Sequence, residues 1–313
     1  MKTLKKIIAV FVFTLVSLNI SAQQEPMYTH YMYNTLMVNP GYAGSRDALT
    51  VTALDRMQWV DFKGAPSTQT FTMHSPLQDQ HIGLGLSVVN DKIGPTNTTS
   101  VYADFAYIME ITQKSKLALG LSAGMNIFQA NINALDLDQQ NDPVFMSNIN
   151  NHVTPNFGFG AYYSRERFYA GISVPNLLQN SYSVTNEANV STLIAKEQRH
   201  YYFIAGTMLR LTDNLAFKPT TLIKLTSGAP IEIDITPSFV IMKKLTLGVM
   251  YRSGDAVGGL VGVDITEQFH IGYSYDWSYG LRTFKYNQGS HEILLRYDFI
   301  TINKQQIHSP RYF

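Results

Sequence analysis

The run LALGLSAGMNIF, residues 117–128, alternates between large apolar side chains and small or polar ones. A repeat of two is the side-chain period of a β-strand, because successive side chains point to opposite faces. The run LTLGVMY, residues 245–251, repeats the pattern. One face of each strand is apolar, and the other carries mainly Gly, Ser, Thr, Ala and Asn. This pattern favours a transmembrane antiparallel β-barrel, in which lipid-facing and lumen-facing residues alternate.

Fourteen segments show this alternation, and an even number is expected of a closed bacterial barrel. The predicted strands are 48–60, 67–75, 81–90, 98–111, 115–128, 154–164, 167–175, 199–211, 214–226, 230–241, 244–253, 256–265, 268–278 and 290–301. Tight turns alternate with longer connections, of which 129–153 and 176–198 are the longest. The longer connections are expected on the outer side of the membrane and the tight turns on the periplasmic side.

The alternation also predicts which side chains enter the barrel. From residue 81 onward, odd-numbered residues are predicted to face outward in nearly every strand, as in Phe105 and Tyr107, and most charges fall at even positions. Four inward charges on neighbouring strands are predicted to form an internal salt-bridge network: Lys218, Lys224, Glu232 and Asp234. A soluble β-sandwich also alternates, but it would carry charges on its solvent face far more often.

The two ends of the chain lie outside the predicted barrel, which spans 48–301. Residues 1–22 combine basic residues, an apolar core and a final Ala22, which together predict a cleaved secretory signal peptide. Residues 23–47 fit no strand pattern and are rich in tyrosine. We expect them to pack at the periplasmic mouth of the barrel or in its lumen. Residues 302–313 are predicted to form a periplasmic tail.

The sequence offers no catalytic, cofactor or metal motif. HExxH and GxSxG are absent, and there is no Cys. The net charge of +1 gives no reason to expect nucleic acid. We therefore expect a protein that is not an enzyme and has no cofactor. Composition and spacing leave open a pore or solute channel, since a fourteen-stranded barrel is wide enough for one unless it is plugged.

Several short motifs, in order along the chain, resemble the PorP/SprF family of type IX secretion proteins, which are outer-membrane barrels of Bacteroidota. The matching elements are QEPMY at 24–28, YMYN at 31–34, NPGYAG at 39–44, Arg56 with Gln58 and Trp59, GAP at 64–66, DKIGP at 91–95 and SPRYF at 309–313. One small departure is Gly41, where Ala is commoner in the family.

This resemblance implies a function that the periodicity alone does not. It implies an outer-membrane protein that assists export and surface attachment of one large adhesin-like cargo with a C-terminal targeting domain, in gliding or adhesion. It implies the secreted cargo and periplasmic type IX components as partners, besides the surrounding outer-membrane lipid.

Aromatic side chains near the long connections are the predicted partner-binding residues, because aromatic residues tend to dominate protein interfaces. They are Trp59, Phe145, Tyr182, Tyr279 and Phe284. For Trp59 and Tyr279 the alternative is a place in the aromatic belt at the membrane interface.

Overall fold

The computed structural model describes residues 25–78, 80–132, 148–185, 191–279 and 287–300, and it is all-β. The strands are β1 Leu49–Met57, β2 Ser67–Pro76, β3 Ile82–Ile93, β4 Thr96–Thr112, β5 Ser115–Ala130, β6 Ile149–Arg165, β7 Phe168–Val174, β8 Ser181–Thr185, β9 Ser191–Lys196, β10 His200–Thr207, β11 Leu209–Arg210, β12 Leu215–Thr226, β13 Glu232–Ile241, β14 Leu245–Arg252, β15 Ala256–Asp264, β16 Phe269–Ser278 and β17 Ser290–Phe299. Two short 3₁₀ turns, Thr35–Met37 and Pro40–Tyr42, precede them. No helix among the described residues combines the length and the apolar character needed to cross a membrane.

The strands form one closed antiparallel barrel. Each barrel strand pairs with its neighbours in the chain, β1 pairs with β17, and β10 pairs with both β7 and β12. Since β10 and β11 lie in line along β12, they count as one barrel strand, and the total is fourteen. The predicted barrel and its strand number are therefore confirmed.

Three details of the strands differ from the prediction. The predicted strand 199–211 is interrupted opposite Pro219, which has no N–H to donate to the ladder. The connection after β7, predicted as a loop, contains the separate hairpin β8–β9. The connection after β3 is a tight turn at Gly94 and Pro95 rather than a loop over 91–97, so β4 begins earlier than predicted.

The phase of the alternation also changes along the chain. In β3 and β7 it is the odd-numbered residues that face inward: Ser87 and Tyr169 are buried, while Leu84 and Phe168 are exposed. Antiparallel partners have a constant sum of residue numbers, and for β2 with β3 and for β6 with β7 this sum is odd. An even residue then faces an odd one, which reverses the phase. The odd-outward rule is therefore wrong for these two strands, and it holds again in β4 and β10.

Residues 25–46, which we call the lumenal segment, run through the barrel. We call the end with the connections 58–66, 131–148, 175–199 and 279–289 the long-loop end, and the opposite end the tight-turn end. Glu25 contacts His200 and Asn176 at the long-loop end, and the amide of Gly44 donates to His74 Nδ1 (3.1 Å) near the tight-turn end. The chain then turns into β1. The segment thus extends along the lumen rather than resting at one mouth.

Glycines on the inward face make room for the lumenal segment. A Cβ on Gly83 would lie 2.0 Å from the carbonyl oxygen of Ala43, and one on Gly120 would lie 2.2 Å from the amide of Gly41. Both distances are too short for any side chain. The small-residue face in the sequence is therefore the surface against which the segment packs, as well as the lining of a lumen.

The predicted charge network forms only in part. Lys224 pairs with Glu232 across β12 and β13 (3.2 Å). Asp234 pairs instead with Arg252 on the next strand (2.9 Å). The ammonium of Lys218 lies 4.5 Å from the ring centroid of Tyr33 in the lumenal segment, which provides a cation–π contact. The prediction missed this because it considered only the strands.

Candidate functional site

A buried cluster of polar side chains fixes the start of the lumenal segment to the barrel wall. The Glu292 carboxylate accepts hydrogen bonds from the amides of Thr29 (2.9 Å) and His30 (2.7 Å). Arg56 donates to the Thr29 hydroxyl (3.1 Å) and pairs with Asp276 (2.8 Å) and with Glu292 (3.1 Å). Buried charges of this kind require such partners, because desolvation is costly without them. The cluster therefore holds the segment at one fixed position.

A second contact group lies closer to the tight-turn end. The ring of Tyr33 stacks on His270 with centroids 4.6 Å apart, and Arg296 lies 5.4 Å from the same ring. Asn39 donates from Nδ2 to the carbonyl of Ala161 (3.0 Å) and accepts from the amide of Gly41 (2.8 Å). The segment is thus bonded to the wall along its length.

A cavity of about 180 Å³ remains between the lumenal segment and the wall of β3–β5 and β10. Four carboxylates are among its lining residues, together with tyrosines and amides, whereas lysine and arginine are absent from the described lining. The four carboxylates belong to Glu25, Asp91, Asp104 and Glu197. The lumenal segment leaves this acidic cavity unfilled.

Glu25 forms one wall of the cavity. Its carboxylate accepts hydrogen bonds from Asn176 (2.6 Å) and Tyr202 (2.8 Å), and it lies 3.5 Å from His200 Nδ1. Burial raises the pKa of Glu25, but the hydrogen bonds and the nearby His200 outweigh this effect, so the net pKa is lowered. Glu25 is therefore held in its ionised form.

Tyr182 is not the exposed aromatic that the sequence suggested. Its side chain is 2% exposed, its ring stacks on Phe128 with centroids 4.2 Å apart, and its hydroxyl donates to Glu197 (2.5 Å). Burial and this hydrogen bond raise its pKa. Its position in the hairpin β8–β9 folds the ring back against β5, which sequence position alone could not show. Tyr182 is thus unavailable as a surface anchor in this structure.

The other predicted contact residues lie at the long-loop end or outside the described residues. Trp59 is half-buried beside Phe62, with ring centroids 6.4 Å apart. Tyr279 is 37% exposed, and its ring stacks on the outward-facing Tyr251. Phe145 and Phe284 are not among the described residues. Among the three that the structure describes, Trp59, Tyr182 and Tyr279, no two are in contact.

His270 and His291, on the last two barrel strands, lie on opposite faces of the wall. His270 is inward and contacts Asp264 (2.8 Å), whereas His291 is half-buried on the outward side and contacts Tyr273 (2.8 Å). Within the described ranges, no group of three or more His, Cys, Asp or Glu side chains is placed to hold a metal ion.

Some of the lumenal residues could have been found from the sequence, and others could not. Asp104 interrupts an otherwise apolar or small-residue strand, which marks it as an inward charge. Glu25 and His200 carried no such signal, because their contact depends on the path of the lumenal segment through the barrel.

A closed barrel with apolar outward and polar inward side chains is the architecture of an outer-membrane protein. The sequence profile of the type IX secretion system membrane protein PorP/SprF family matches residues 20–297. The chain belongs to this family, and it is an outer-membrane component of type IX secretion. The resemblance drawn from the short motifs is thereby confirmed.

Two solved outer-membrane proteins illustrate the structural similarity. The outer-membrane protein Omp33 of Acinetobacter baumannii is 11% identical, with 81% of this chain and 100% of that chain covered and a TM-score of 0.45. The monoaromatic hydrocarbon channel CymD is 8% identical, with 86% and 94% covered and a TM-score of 0.48. No curated protein matches the sequence.

Proposed function

We propose that this protein assists export and surface attachment of one large adhesin-like cargo that carries a C-terminal targeting domain. The observation that carries the proposal is the family match over residues 20–297. The role is non-enzymatic: the barrel offers a surface and a support for secreted protein rather than a reaction centre. We further propose that residues 1–22 are removed as a signal peptide and that periplasmic type IX components contact the tight-turn end.

The lumenal segment inside the barrel favours a role as a support for secreted protein over a role as a pore. Thr29, His30 and Tyr31 are fully buried in the barrel, and the carboxylate of Glu292 binds the segment in place. A solute channel would need a continuous path past these residues. The proposed cargo surface is instead the long-loop end, where the exposed Tyr279 and the half-buried Trp59 lie and to which Phe145 and Phe284 also belong in sequence.

The test is deletion of the gene followed by proteomics of the cell surface. We expect general type IX secretion to continue and one or a few large adhesins with a C-terminal targeting domain to disappear from the surface. A tagged barrel should recover the same protein from detergent extracts, and Trp59→Ala with Tyr279→Ala should weaken its recovery. An unchanged set of surface proteins, combined with solute conductance by the purified barrel, would instead support the pore.

A further inference from the structure

The acidic cavity is elongated along the barrel wall. Asp91 pairs with Thr98 near the long-loop end of β3 and β4, and Asp104 pairs with Gly85 farther down the same two strands. Six residues separate Gly85 from Asp91, which corresponds to about 20 Å at 3.3 Å per residue. A volume of about 180 Å³ is on the order of ten water molecules. The cavity is therefore deep enough to hold a long side chain.

The carboxylates of this cavity have few positive partners. Asp104 is 6% exposed and accepts one hydrogen bond, from Ser87 Oγ (3.2 Å). Asp91 accepts one from Thr68 Oγ1 (2.6 Å). Glu197 accepts from neutral donors, the nearest being Tyr182. Among the described lining residues, only a protonated His200 could provide a positive charge, so at least three of the four carboxylates lack a cation.

His200 is a second, independent sign of a missing ligand. Its side chain is 1% exposed and lines the cavity, and its Nε2 has no hydrogen-bond partner among the described residues. When Nδ1 carries the ring proton toward Glu25, Nε2 is left as an acceptor. A buried acceptor without a donor is costly. A ligand with N–H donors would supply that hydrogen bond.

These features together define the ligand chemistry. An anion would be repelled, and an uncharged sugar would leave Asp104 without a counter-charge. In the part of the chain that the structure describes, no group of three or more His, Cys, Asp or Glu side chains is placed to hold a metal ion. Tyr28 and Tyr102, which also line the cavity, add aromatic faces that suit a cation. A flexible side chain that ends in an ammonium or guanidinium group supplies the charge and the donors that are needed.

We propose that this cavity binds the side-chain cation of a lysine or arginine that a protein segment inserts from the long-loop end. The cation reaches toward Asp104, and the lumenal segment forms the floor through Leu36 and Pro40. The proposal goes beyond the proposed function, because the cavity recognises this side chain whether the inserted segment belongs to the cargo or to another partner.

The absence of cysteine allows a direct test. Ser122 lines the cavity, so the purified Ser122→Cys barrel carries one thiol there. We expect a cationic methanethiosulfonate reagent to react at least about ten-fold faster than an anionic one, relative to a free thiol, because the field concentrates cations. Asp104→Asn in this background should lower that ratio. Asp213→Asn, at an exposed turn of the tight-turn end, should leave it unchanged.

The ligand itself is tested by protection of the same thiol. The peptides acetyl-Gly-Lys-Gly-amide and acetyl-Gly-Arg-Gly-amide should slow modification, whereas the norleucine peptide should not. Equal reaction rates for both reagents, reaction with neither, or protection by the norleucine peptide alone would overturn the proposal. If Ser122→Cys fails to assemble, Ser100→Cys, also in the lining, provides the thiol for the same measurement.

Discussion

His30 and Glu292, 262 residues apart, are joined twice: both the backbone amide and the ring Nδ1 of His30 lie 2.7 Å from Glu292 Oε1. Both side chains are 0% exposed. The first described part of the chain is thus bound to the last barrel strand. The same strand, β17, pairs with β1. The Glu292 carboxylate therefore binds the lumenal segment at the place where the first and last barrel strands meet.

Glu292→Gln should destabilise the folded barrel and loosen the lumenal segment. Loss of one partner from a buried charge cluster typically costs about 3–5 kcal/mol, because Arg56 and His30 stay buried with less compensation. Destabilisation is measured by urea-induced unfolding in detergent micelles. Loosening is measured separately, as the rate at which added protease cleaves the lumenal segment. Glu166→Gln, at an exposed turn, is the matched control. Equal unfolding midpoints for the two variants would contradict the assigned role of Glu292.

The packing of the segment against the wall predicts a contrast between two glycines. Gly83→Ala places a Cβ 2.0 Å from the Ala43 carbonyl oxygen, whereas a Cβ on Gly259 meets no atom within 4 Å. Overpacking of this kind costs about 1–3 kcal/mol. We expect Gly83→Ala to reduce the heat-resistant folded band in an unboiled gel sample, and Gly259→Ala to match the parent protein. A normal Gly83→Ala barrel with an unchanged protease pattern would show that the segment does not pack here.

The strands and their number were predictable because the surroundings impose them. Lipid outside and the lumen inside require alternation in every strand, and this signal is present in residues 117–128 without any alignment. The phase reversal in β3 and β7 follows the register sum that the turn before each strand sets, and the sequence carries it too, since the large apolar residues there are even-numbered, as in Leu84 and Ile172. The error came from extending the odd-numbered phase of the other strands to these two, because a one-residue change in a turn reverses the phase.

The lumenal contacts were hidden for a different reason. Residues 25–46 have no regular period, so nothing in their sequence tells which wall residue each one meets. Thr29 and Asp276 are 247 residues apart, and their hydrogen bond of 2.6 Å exists only because the segment enters the closed barrel. The inward charges could be named from the sequence, but not all of their partners could. Lys218 was predicted to pair with carboxylates of the neighbouring strand, whereas its ammonium lies over the ring of Tyr33 in the lumenal segment.

The outward face predicts how the barrel responds to charge at different depths. Val249 is on the outward face in the middle of β14, and Met242 lies at the exposed turn before it. An arginine near the bilayer midplane costs about 2–4 kcal/mol, and one near the interface about 0–1. Val249→Arg should therefore assemble poorly in vesicles while Met242→Arg assembles normally. Equal assembly of the two arginine variants would mean that β14 does not face lipid as described.

The lowered pKa of Glu25 predicts acid release of the start of the lumenal segment. The folded pKa of Glu25 lies below the ordinary value of 4.5. The stability that its ionised carboxylate contributes is therefore fully present above pH 4.5 and is lost as the pH falls through the folded pKa. The protection factors of the amides in residues 25–30, taken relative to the intrinsic exchange rate at each pH, should therefore fall below about pH 4.5. Glu25→Gln should remove that dependence and leave the protection of β5 unchanged. Protection factors that do not change with pH in the parent protein would rule out this contribution.

The topology predicts that the long-loop end is outside the cell. Tight turns at one end and longer connections at the other are the expected arrangement of outer-membrane barrels, with the longer connections outside. An epitope tag inserted beside the exposed Asn148 should bind antibody on intact cells. A tag beside Asp213, at a tight turn, should bind only after the outer membrane is permeabilised. The reverse pattern would place the acidic cavity toward the periplasm, and a lysine or arginine side chain would then have to reach Asp104 from that compartment.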